Sequence, residues 1–129
     1  MILIIDDNPI NVKLLQLVMR AEPWPMRVAH NAEQAMLELV KKTPRLILMD
    51  LQLPDVDGLT LTRMLKSDER FKSIPIVAVT SYAMKGDEER AREAGCDGYV
   101  TKPIDTRALP DVVRAFVERV ERVEGDEPP

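Results

Sequence analysis

The stretch Leu46–Asp50 (LILMD) decides the fold of this chain, because it is an uninterrupted apolar run that stops at an acid. A turn-rich loop follows at Pro54–Gly58, and Leu59–Lys66 has the pattern of a helix. Strands that are apolar along their whole length are typical of parallel sheets with helices on both faces. The stretch therefore predicts a buried strand that presents Asp50 at its carboxyl end.

The same alternation of apolar runs and amphipathic stretches continues in both directions from this unit. The apolar runs predict further strands at residues 2–5, 26–29, 74–79 and 98–101. The amphipathic stretches predict helices at residues 11–21, 32–41 and 84–93, and a last helix that begins near Asp105. Five strands alternating with five helices predict an α/β fold, in which a doubly wound, five-stranded parallel sheet has helices on both faces.

Length and charge indicate a single globular domain. The 129 residues are enough for one hydrophobic core, which we assign to residues 1–122, with residues 123–129 as a flexible C-terminal tail. The net charge is −4 and there is no dense run of Lys or Arg, which argues against direct binding of nucleic acid.

The chain has features of a cytoplasmic protein that makes no contact with a membrane. The apolar run at residues 2–5 is too short for a signal peptide or a membrane span. Cys96 is the single cysteine, so no internal disulfide can form, and we expect a small buried packing residue.

Residues with reactive or charged side chains stand directly after four of the predicted strands. They are Asp6 and Asp7, Asp50, Thr80 and Lys102. In sheets of this kind, ligands bind beyond the carboxyl ends of the strands. We therefore expect these side chains, which are scattered over almost the whole chain, to meet at one edge of the sheet.

Three of these side chains predict a magnesium site. Asp6, Asp7 and Asp50 would repel one another at that edge unless a cation lies among them. Carboxylate oxygens suit Mg²⁺, which binds through one or two carboxylates and keeps several waters. Asp6 and Asp7 alone could instead cap a helix, where carboxylates are stabilising, but Asp50 at the end of a neighbouring strand favours the metal.

A metal, a carboxylate, a hydroxyl and an ammonium together are typical of phosphoryl transfer, in which catalysis is mostly positioning and electrostatics. Asp50 is the candidate nucleophile, and Lys102 and the Thr80 hydroxyl are candidates for binding the phosphoryl oxygens. Taken singly, Thr80 is an ordinary strand residue and Lys102 an ordinary surface lysine. Pro103 changes the second interpretation, because a cis Lys102–Pro103 bond would fix the turn and aim the lysine inward.

From Ile2 to about Val120 the chain resembles response regulator receiver domains. The matching segments are Ile4–Asn8, Leu48–Pro54, Asp57-Gly58, Val79-Thr80 and Lys102-Pro103. The resemblance implies a (βα)5, flavodoxin-like fold. It also implies a Mg²⁺ ion held by Asp6, Asp7, Asp50 and the backbone carbonyl of Gln52.

The resemblance further implies a signalling mechanism. Asp50 would be the phosphoacceptor, and its donor would be a histidine kinase or a histidine phosphotransfer protein, with Lys102 binding the phosphate. Thr80 and Tyr99 would form the switch, Tyr99 moving inward as Thr80 turns toward the phosphate. An ordinary half-buried ring is the alternative for Tyr99. A downstream protein target would read the surface formed by the fourth helix, the fifth strand and the fifth helix.

Finer features place the chain within that family. Ser81–Arg90 with Ala94–Cys96 is most similar to DivK-like single-domain regulators, and related runs occur in receivers of hybrid kinases and of diguanylate cyclases. Gln52 and Tyr82 occupy positions that tune the lifetime of the acyl phosphate in the family. A stand-alone regulator and a module of a longer protein both remain open.

Two other classes of protein use similar topologies. A Mg²⁺-dependent phosphohydrolase with an aspartate nucleophile would need a second acid two residues after Asp50, where this chain has Gln52. A nucleotide or flavin binder would need a glycine-rich loop after the first strand, where this chain has Asp6–Pro9. We therefore expect a signalling protein that catalyses no more than its own phosphorylation and dephosphorylation.

Overall fold

The computed structural model describes residues 1–81 and 86–126, with side chains up to residue 118. Within these ranges the chain alternates between five strands and five helices. The strands are β1 (Ile2–Ile5), β2 (Met26–Ala29), β3 (Leu46–Asp50), β4 (Ile76–Thr80) and β5 (Gly98–Thr101). The helices are α1 (Pro9–Val18), α2 (Ala32–Lys41), α3 (Gly58–Lys66), α4 (Asp87–Ala94) and α5 (Leu109–Asp126).

The described strands form one sheet in which every pairing is parallel. Their order is β2-β1-β3-β4-β5, so the strand order reverses between β1 and β3. Ligand sites of doubly wound sheets lie at such a reversal, beyond the carboxyl ends of the strands. The predicted doubly wound, flavodoxin-like α/β fold is confirmed.

Apolar side chains fill both faces of the sheet. On one face, strand residues pack against α2, α3 and α4, with Leu39, Leu61 and Ala91 as buried contacts. On the other face they pack against α1 and α5, with Leu15 and Val113 in the centre. Burial on both faces explains why β1 is apolar throughout, and why β3 and β4 are apolar except for their last residues, Asp50 and Thr80.

Helix α1 begins two residues before the predicted start at residue 11. The side chain of Asn8 accepts hydrogen bonds from the N–H groups of Ile10 and Asn11, and Pro9 occupies the first turn. An Asn cap followed by proline is a strong helix start, which the prediction from apolar spacing overlooked. The helix also ends earlier than predicted, at Val18 rather than residue 21.

Two further element starts differ from the prediction. Strand β4 starts at Ile76 rather than residue 74, after Pro75, which has no N–H group to donate. Helix α4 spans Asp87–Ala94 rather than 84–93, and the left-handed residues Gly86 and Gly95 flank it. Residues 84 and 85 lie outside the described residues.

Helix α5 starts at Leu109, and the prediction of a start near Asp105 is wrong. The Asp105 side chain accepts the N–H groups of Arg107 and Ala108, and its carbonyl accepts the N–H of Leu109, in a capped turn that precedes the helix. Pro110 has no N–H group to extend this turn, so the regular helix starts only at Leu109. The helix runs to Asp126, through part of the segment assigned to a flexible tail. Residues 127–129 lie outside the described residues, so the domain boundary at residue 122 stays a prediction.

The single cysteine is a packing residue, as predicted. Cys96 is buried and free, and burial is the first cause that raises the pKa of its thiol. Across the described part of the chain, no helix combines the length and apolar character that a bilayer crossing requires.

Candidate functional site

The strand register brings the predicted site residues to one level of the sheet. Ile5 pairs with Met49, so Asp6 follows β1 beside Asp50 at the end of β3. Asp50 pairs with Val79, and Thr80 therefore comes next along β4. Thr80 in turn pairs with Thr101, which directly precedes Lys102. The predicted gathering of these residues at the carboxyl edge is confirmed.

Three carboxylates form a compact cluster at this edge. One oxygen each from Asp6, Asp7 and Asp50 lie within 4.8 Å of one another. Asp6 is 1% exposed and Asp50 is 3% exposed, whereas Asp7 is exposed to solvent. The cluster is therefore open on the side of Asp7 and closed around the other two acids.

Backbone N–H groups fix one oxygen of each buried carboxylate. Asn8 donates its N–H to Asp6 Oδ1 at 2.8 Å, and Gln52 donates its N–H to Asp50 Oδ1 at 3.0 Å. The Nζ atom of Lys102 lies 3.6 Å from Asp6 Oδ2 and 3.7 Å from Asp50 Oδ2. The ammonium thus faces both carboxylates at ion-pair distance without a short hydrogen bond to either.

The charge balance of the cluster is unfavourable to the ionised form of Asp50. Burial raises the pKa of the Asp50 carboxyl to about 6, and the charge of Asp6 adds to this rise. The N–H of Gln52 and the ammonium of Lys102 lower the pKa but do not cancel the effect of burial. A further cation near the cluster would favour the ionised carboxylate.

The donor set fits a magnesium ion. Asp6 Oδ2 is buried and has no hydrogen-bond partner among the described residues. A buried carboxylate oxygen without a hydrogen bond, beside two more carboxylates, is an arrangement that a hard divalent cation satisfies. The structure thus groups the three predicted carboxylate ligands, and the backbone carbonyl of Gln52, the fourth predicted ligand, belongs to the loop directly after Asp50.

Lys102 is held in place by its own backbone. Its N–H donates to the carbonyl of Thr80 at 2.7 Å, and the Lys102–Pro103 peptide bond is cis, as the sequence suggested. The Lys102 side chain is 13% exposed, so the alternative of an ordinary surface lysine is wrong. The side chain of Thr80 is fully buried at the end of β4.

The predicted switch aromatic lies between the core and α4. Tyr99 is half-buried and packs against the hydrophobic cluster on the α2–α4 face. Burial raises the pKa of its phenol, and the nearby charges of Asp87 and Glu88 raise it further. Tyr99 therefore lies near the first turn of α4. Tyr82 lies outside the described residues.

The loops after β3 and β4 meet beside the cluster. Ser81 donates its hydroxyl to Gln52 Oε1 at 3.3 Å, which links the two loops. A cleft of about 580 Å³ lies next to this link, with Asp7 and Gln52 on one side and Asp87 and Arg90 on the other. Asp50 is not among the residues that line the cleft, so this space lies beside the carboxylate cluster.

The segment after β3 contains two further contacts, at Gly58 and Asp55, that the sequence did not predict. Gly58 belongs to a matching segment, and the structure shows the reason for a glycine. A Cβ atom there would lie 2.6 Å from the Asp50 carbonyl oxygen and 2.6 Å from Leu51 Cα. Asp55 contacts the start of α2 through two backbone N–H groups. The N–H groups that it binds, those of Ala32 and Glu33, lie more than twenty residues earlier in the chain, and no local sequence pattern predicts this contact.

Comparison with known proteins decides the family. The model of the response regulator receiver domain matches residues 2–114. The chain is also 40% identical over 116 residues to the polar-differentiation response regulator DivK of Brucella anthropi, which covers 90% of this chain and 94% of that protein. The chain belongs to the response regulator receiver domain family. Phosphorylation-activated signalling in a two-component system is therefore its expected function, and the phosphohydrolase alternative is not favoured.

Solved receiver structures have the same architecture as this receiver domain. A response regulator from Chloroflexus aurantiacus is 28% identical and superimposes with a TM-score of 0.86, covering 91% of this chain and 96% of that one. The receiver domain of sensor histidine kinase PA1611 from Pseudomonas aeruginosa is 29% identical, with a TM-score of 0.82 and coverage of 91% and 96%. That structure has a magnesium ion coordinated in its active-site cleft.

Proposed function

We propose that Asp50 accepts a phosphoryl group from the phosphohistidine of a histidine kinase or a histidine phosphotransfer protein, in a reaction that requires Mg²⁺. The observation that carries this proposal is the buried cluster of Asp6, Asp50 and Lys102 at the carboxyl edge of a receiver fold. Asp7 completes the set of carboxylates on its open side.

In the proposed reaction an Asp50 oxygen attacks the phosphorus atom of the donor. Oδ1 is engaged by the N–H of Gln52, which leaves Oδ2 as the nucleophile. The new O–P bond forms as the P–N bond to the donor imidazole breaks, and the imidazole leaves with that electron pair and a proton taken from water, so that it departs neutral. The product is an acyl phosphate on Asp50.

The surrounding residues stabilise charge on the transferred group. The Lys102 ammonium, 3.7 Å from Asp50 Oδ2, is placed to pair with one phosphoryl oxygen, and the Thr80 hydroxyl to donate to another. A bound Mg²⁺ supplies the positive charge that offsets the carboxylates, and Asp6, Asp7, Asp50 and the Gln52 carbonyl would hold it. Its binding would also keep Asp50 ionised and nucleophilic at neutral pH.

The proposed output is a change in the surface formed by α4, β5 and α5, read by a downstream protein target. Thr80 at the end of β4 would turn toward the phosphate, and Tyr99 on β5 would move inward. Tyr99 already lies against the core and near the first acids of α4. Such a change shifts the balance between two conformations of the same surface.

The remaining parts of the proposal concern the setting of the domain. We place the receiver in residues 1–122 and the protein in the cytoplasm, where its free, buried thiol would remain reduced. The negative net charge supports a protein target rather than direct binding to nucleic acid. The chemistry of the chain would be limited to forming and losing its own acyl phosphate.

The test is incubation of the purified protein with a small phosphodonor such as acetyl phosphate in the presence of MgCl₂. We expect a single acid-stable, base-labile phosphate per chain, which chelation of the metal prevents. The Asp50→Asn variant should remain unmodified. Unchanged labelling of Asp50→Asn would contradict the assignment of the acceptor, and repeated turnover of organic phosphates would instead support a phosphohydrolase.

A further inference from the structure

The loop that follows the phosphoacceptor is tied to a helix from another part of the chain. Asp55 lies in the β3–α3 loop, and its Oδ1 accepts the N–H of Ala32 at 3.0 Å. Its Oδ2 accepts the N–H of Glu33 at 3.2 Å, so both carboxylate oxygens face the start of α2. Oδ1 also accepts the N–H of Val56 at 2.8 Å, which orients the carboxylate within its own loop.

This tie adds a second cap to the start of α2. Helices begin with four N–H groups that have no partner in the helix. Asn31 is the local cap, and its side chain accepts the N–H of Gln34 at 2.8 Å, while its carbonyl accepts the N–H of Ala35. Asp55 accepts two further N–H groups of this first turn, those of Ala32 and Glu33. The helix start therefore has one cap from its own segment and one from the phosphoacceptor loop.

The contact also has a favourable charge. Asp55 is solvent-exposed, yet its pKa is lowered, chiefly by the hydrogen bond from Ala32. A carboxylate is stabilised at a helix N-terminus by the partial positive charge there. Asp55 is thus held in the ionised form that binds both N–H groups.

The chain between Asp55 and the metal site is stiff. Pro54 has a fixed φ angle, and it also restricts Leu53 to extended conformations. At the other end of the loop, Gly58 donates its N–H to the carbonyl of Leu51 at 3.1 Å, which closes the base. Gln52 lies between these two fixed points, with its own N–H bound to Asp50 Oδ1.

We propose that Asp55 is a positioning residue for the magnesium site, which it serves by holding the loop so that the Gln52 carbonyl is directed toward the metal. The inference rests on the proposed function, because it takes the Gln52 carbonyl as a ligand. It goes beyond that function by assigning a role to a residue that touches neither the metal nor the phosphoryl group. The start of α2 becomes part of the support of the reaction centre.

The effect of Asp55 on Mg²⁺ affinity depends on the fraction of molecules in which the β3–α3 loop has the conformation that binds the metal. A loop released from α2 has more orientations, and the apparent dissociation constant rises as the metal-competent fraction falls. We expect Asp55→Ala to weaken Mg²⁺ binding about five-fold, with the site chemistry intact. Asp55→Asn keeps one good acceptor oxygen and should give a smaller loss, since Asn is also an effective cap.

Two variants of the same helix start serve as matched controls. Asn31→Ala removes the local cap of α2 and should lower the melting temperature about as much as Asp55→Ala, without releasing the loop. Glu33→Gln removes one negative charge from the same place and keeps the backbone N–H that Asp55 binds. Each protein is titrated with MgCl₂ alone while backbone amide signals are followed by NMR.

We expect a larger dissociation constant for Mg²⁺ in Asp55→Ala than in the wild type. Both controls should have constants within about two-fold of the wild type. An unchanged constant in Asp55→Ala would overturn it, and so would an equal loss in Asn31→Ala or Glu33→Gln. If the wild type binds Mg²⁺ and Asp6→Asn does not, the metal site is established independently of Asp55. A negative result for Asp55→Ala would then contradict only the role of Asp55. A wild type that binds no Mg²⁺ would overturn both proposals.

Discussion

At the scale of single residues, Asp50 is placed where its own charge is costly. Burial raises its pKa to about 6, whereas a carboxyl in an unfolded chain titrates near ~3.9. The native state therefore binds the proton more tightly than the unfolded state does. The contribution of this group to stability is full below ~3.9 and is lost as the pH rises through about 6.

Replacing Asp50 by Asn should therefore stabilise the fold at neutral pH. In metal-free buffer at about pH 7 we expect the variant to gain about 2 kcal/mol in the free energy of unfolding. The gain should nearly vanish at about pH 4, where the native carboxyl is already protonated. Urea unfolding at both pH values checks this, and an equal gain at both would contradict the raised pKa.

Gly58 supports the same residue through close packing. A methyl group at this position would meet backbone atoms of Asp50 and Leu51 at 2.6 Å, and backbone cannot move aside as a flexible side chain would. Gly58→Ala should cost about 1–3 kcal/mol of stability and reduce phosphorylation of Asp50. The matched control is Gly86→Ala, where open space leaves only the cost of the left-handed backbone, about 1 kcal/mol. Similar phosphorylation of the two variants would show that the close packing does not matter for the site.

At the scale of the element, α4 is the helix with the weakest described anchorage. Its buried residues are Ala91 and Ala94, whereas α3, of similar length, buries Leu61 and Leu65. The pair of Arg92 with Glu88 is exposed, and in the pair of Arg90 with Asp87 the arginine is exposed, so these ion pairs add little stability. A helix held in this way is suited to the proposed output surface, because a shift of the helix requires little free energy.

The weak anchorage predicts fast local opening of α4. Burying leucine rather than alanine contributes on the order of 1–2 kcal/mol per side chain, and α3 has two such leucines. We expect the α4 amides to exchange with solvent at least ~10-fold faster than those of α3, after correction for intrinsic rates. Native-state hydrogen exchange of the unphosphorylated protein measures both helices at once. Equal protection of α3 and α4 would argue against α4 as the mobile element.

At the scale of the whole molecule, the sequence was sufficient for the strands and for the meeting of the acids. Residues 2–5, 26–29 and 98–101 coincide with β1, β2 and β5, and a polar residue directly follows each of these segments. The placement of Asp6 and Asp50 then follows from parallel topology alone, which puts strand ends on one edge. The cis geometry before Pro103 could only be raised as a candidate, since both isomers have the same sequence.

Features that depend on contacts between distant segments were not predictable. The tie between Asp55 and α2 uses backbone N–H groups, which every residue except proline carries, so the sequence does not mark them. Helix α5 starts at Leu109 rather than near Asp105, because Pro110 has no N–H group with which to continue the turn that Asp105 caps. Sequence patterns thus predict the sheet and its reactive edge, whereas the contacts between distant segments around that edge become visible only in the three-dimensional structure.

The central claim is that Asp50 receives a phosphoryl group from a histidine of a partner protein. The most direct measurement is intact-mass analysis after mixing this chain with a phosphorylated histidine kinase or histidine phosphotransfer protein from the same organism, with MgCl₂ present. We expect the mass of one added phosphoryl group on the wild type, and none on Asp50→Asn or after chelation of the metal. A phosphoryl group that appears on Asp50→Asn, or that the wild type never acquires from any such donor, would contradict it.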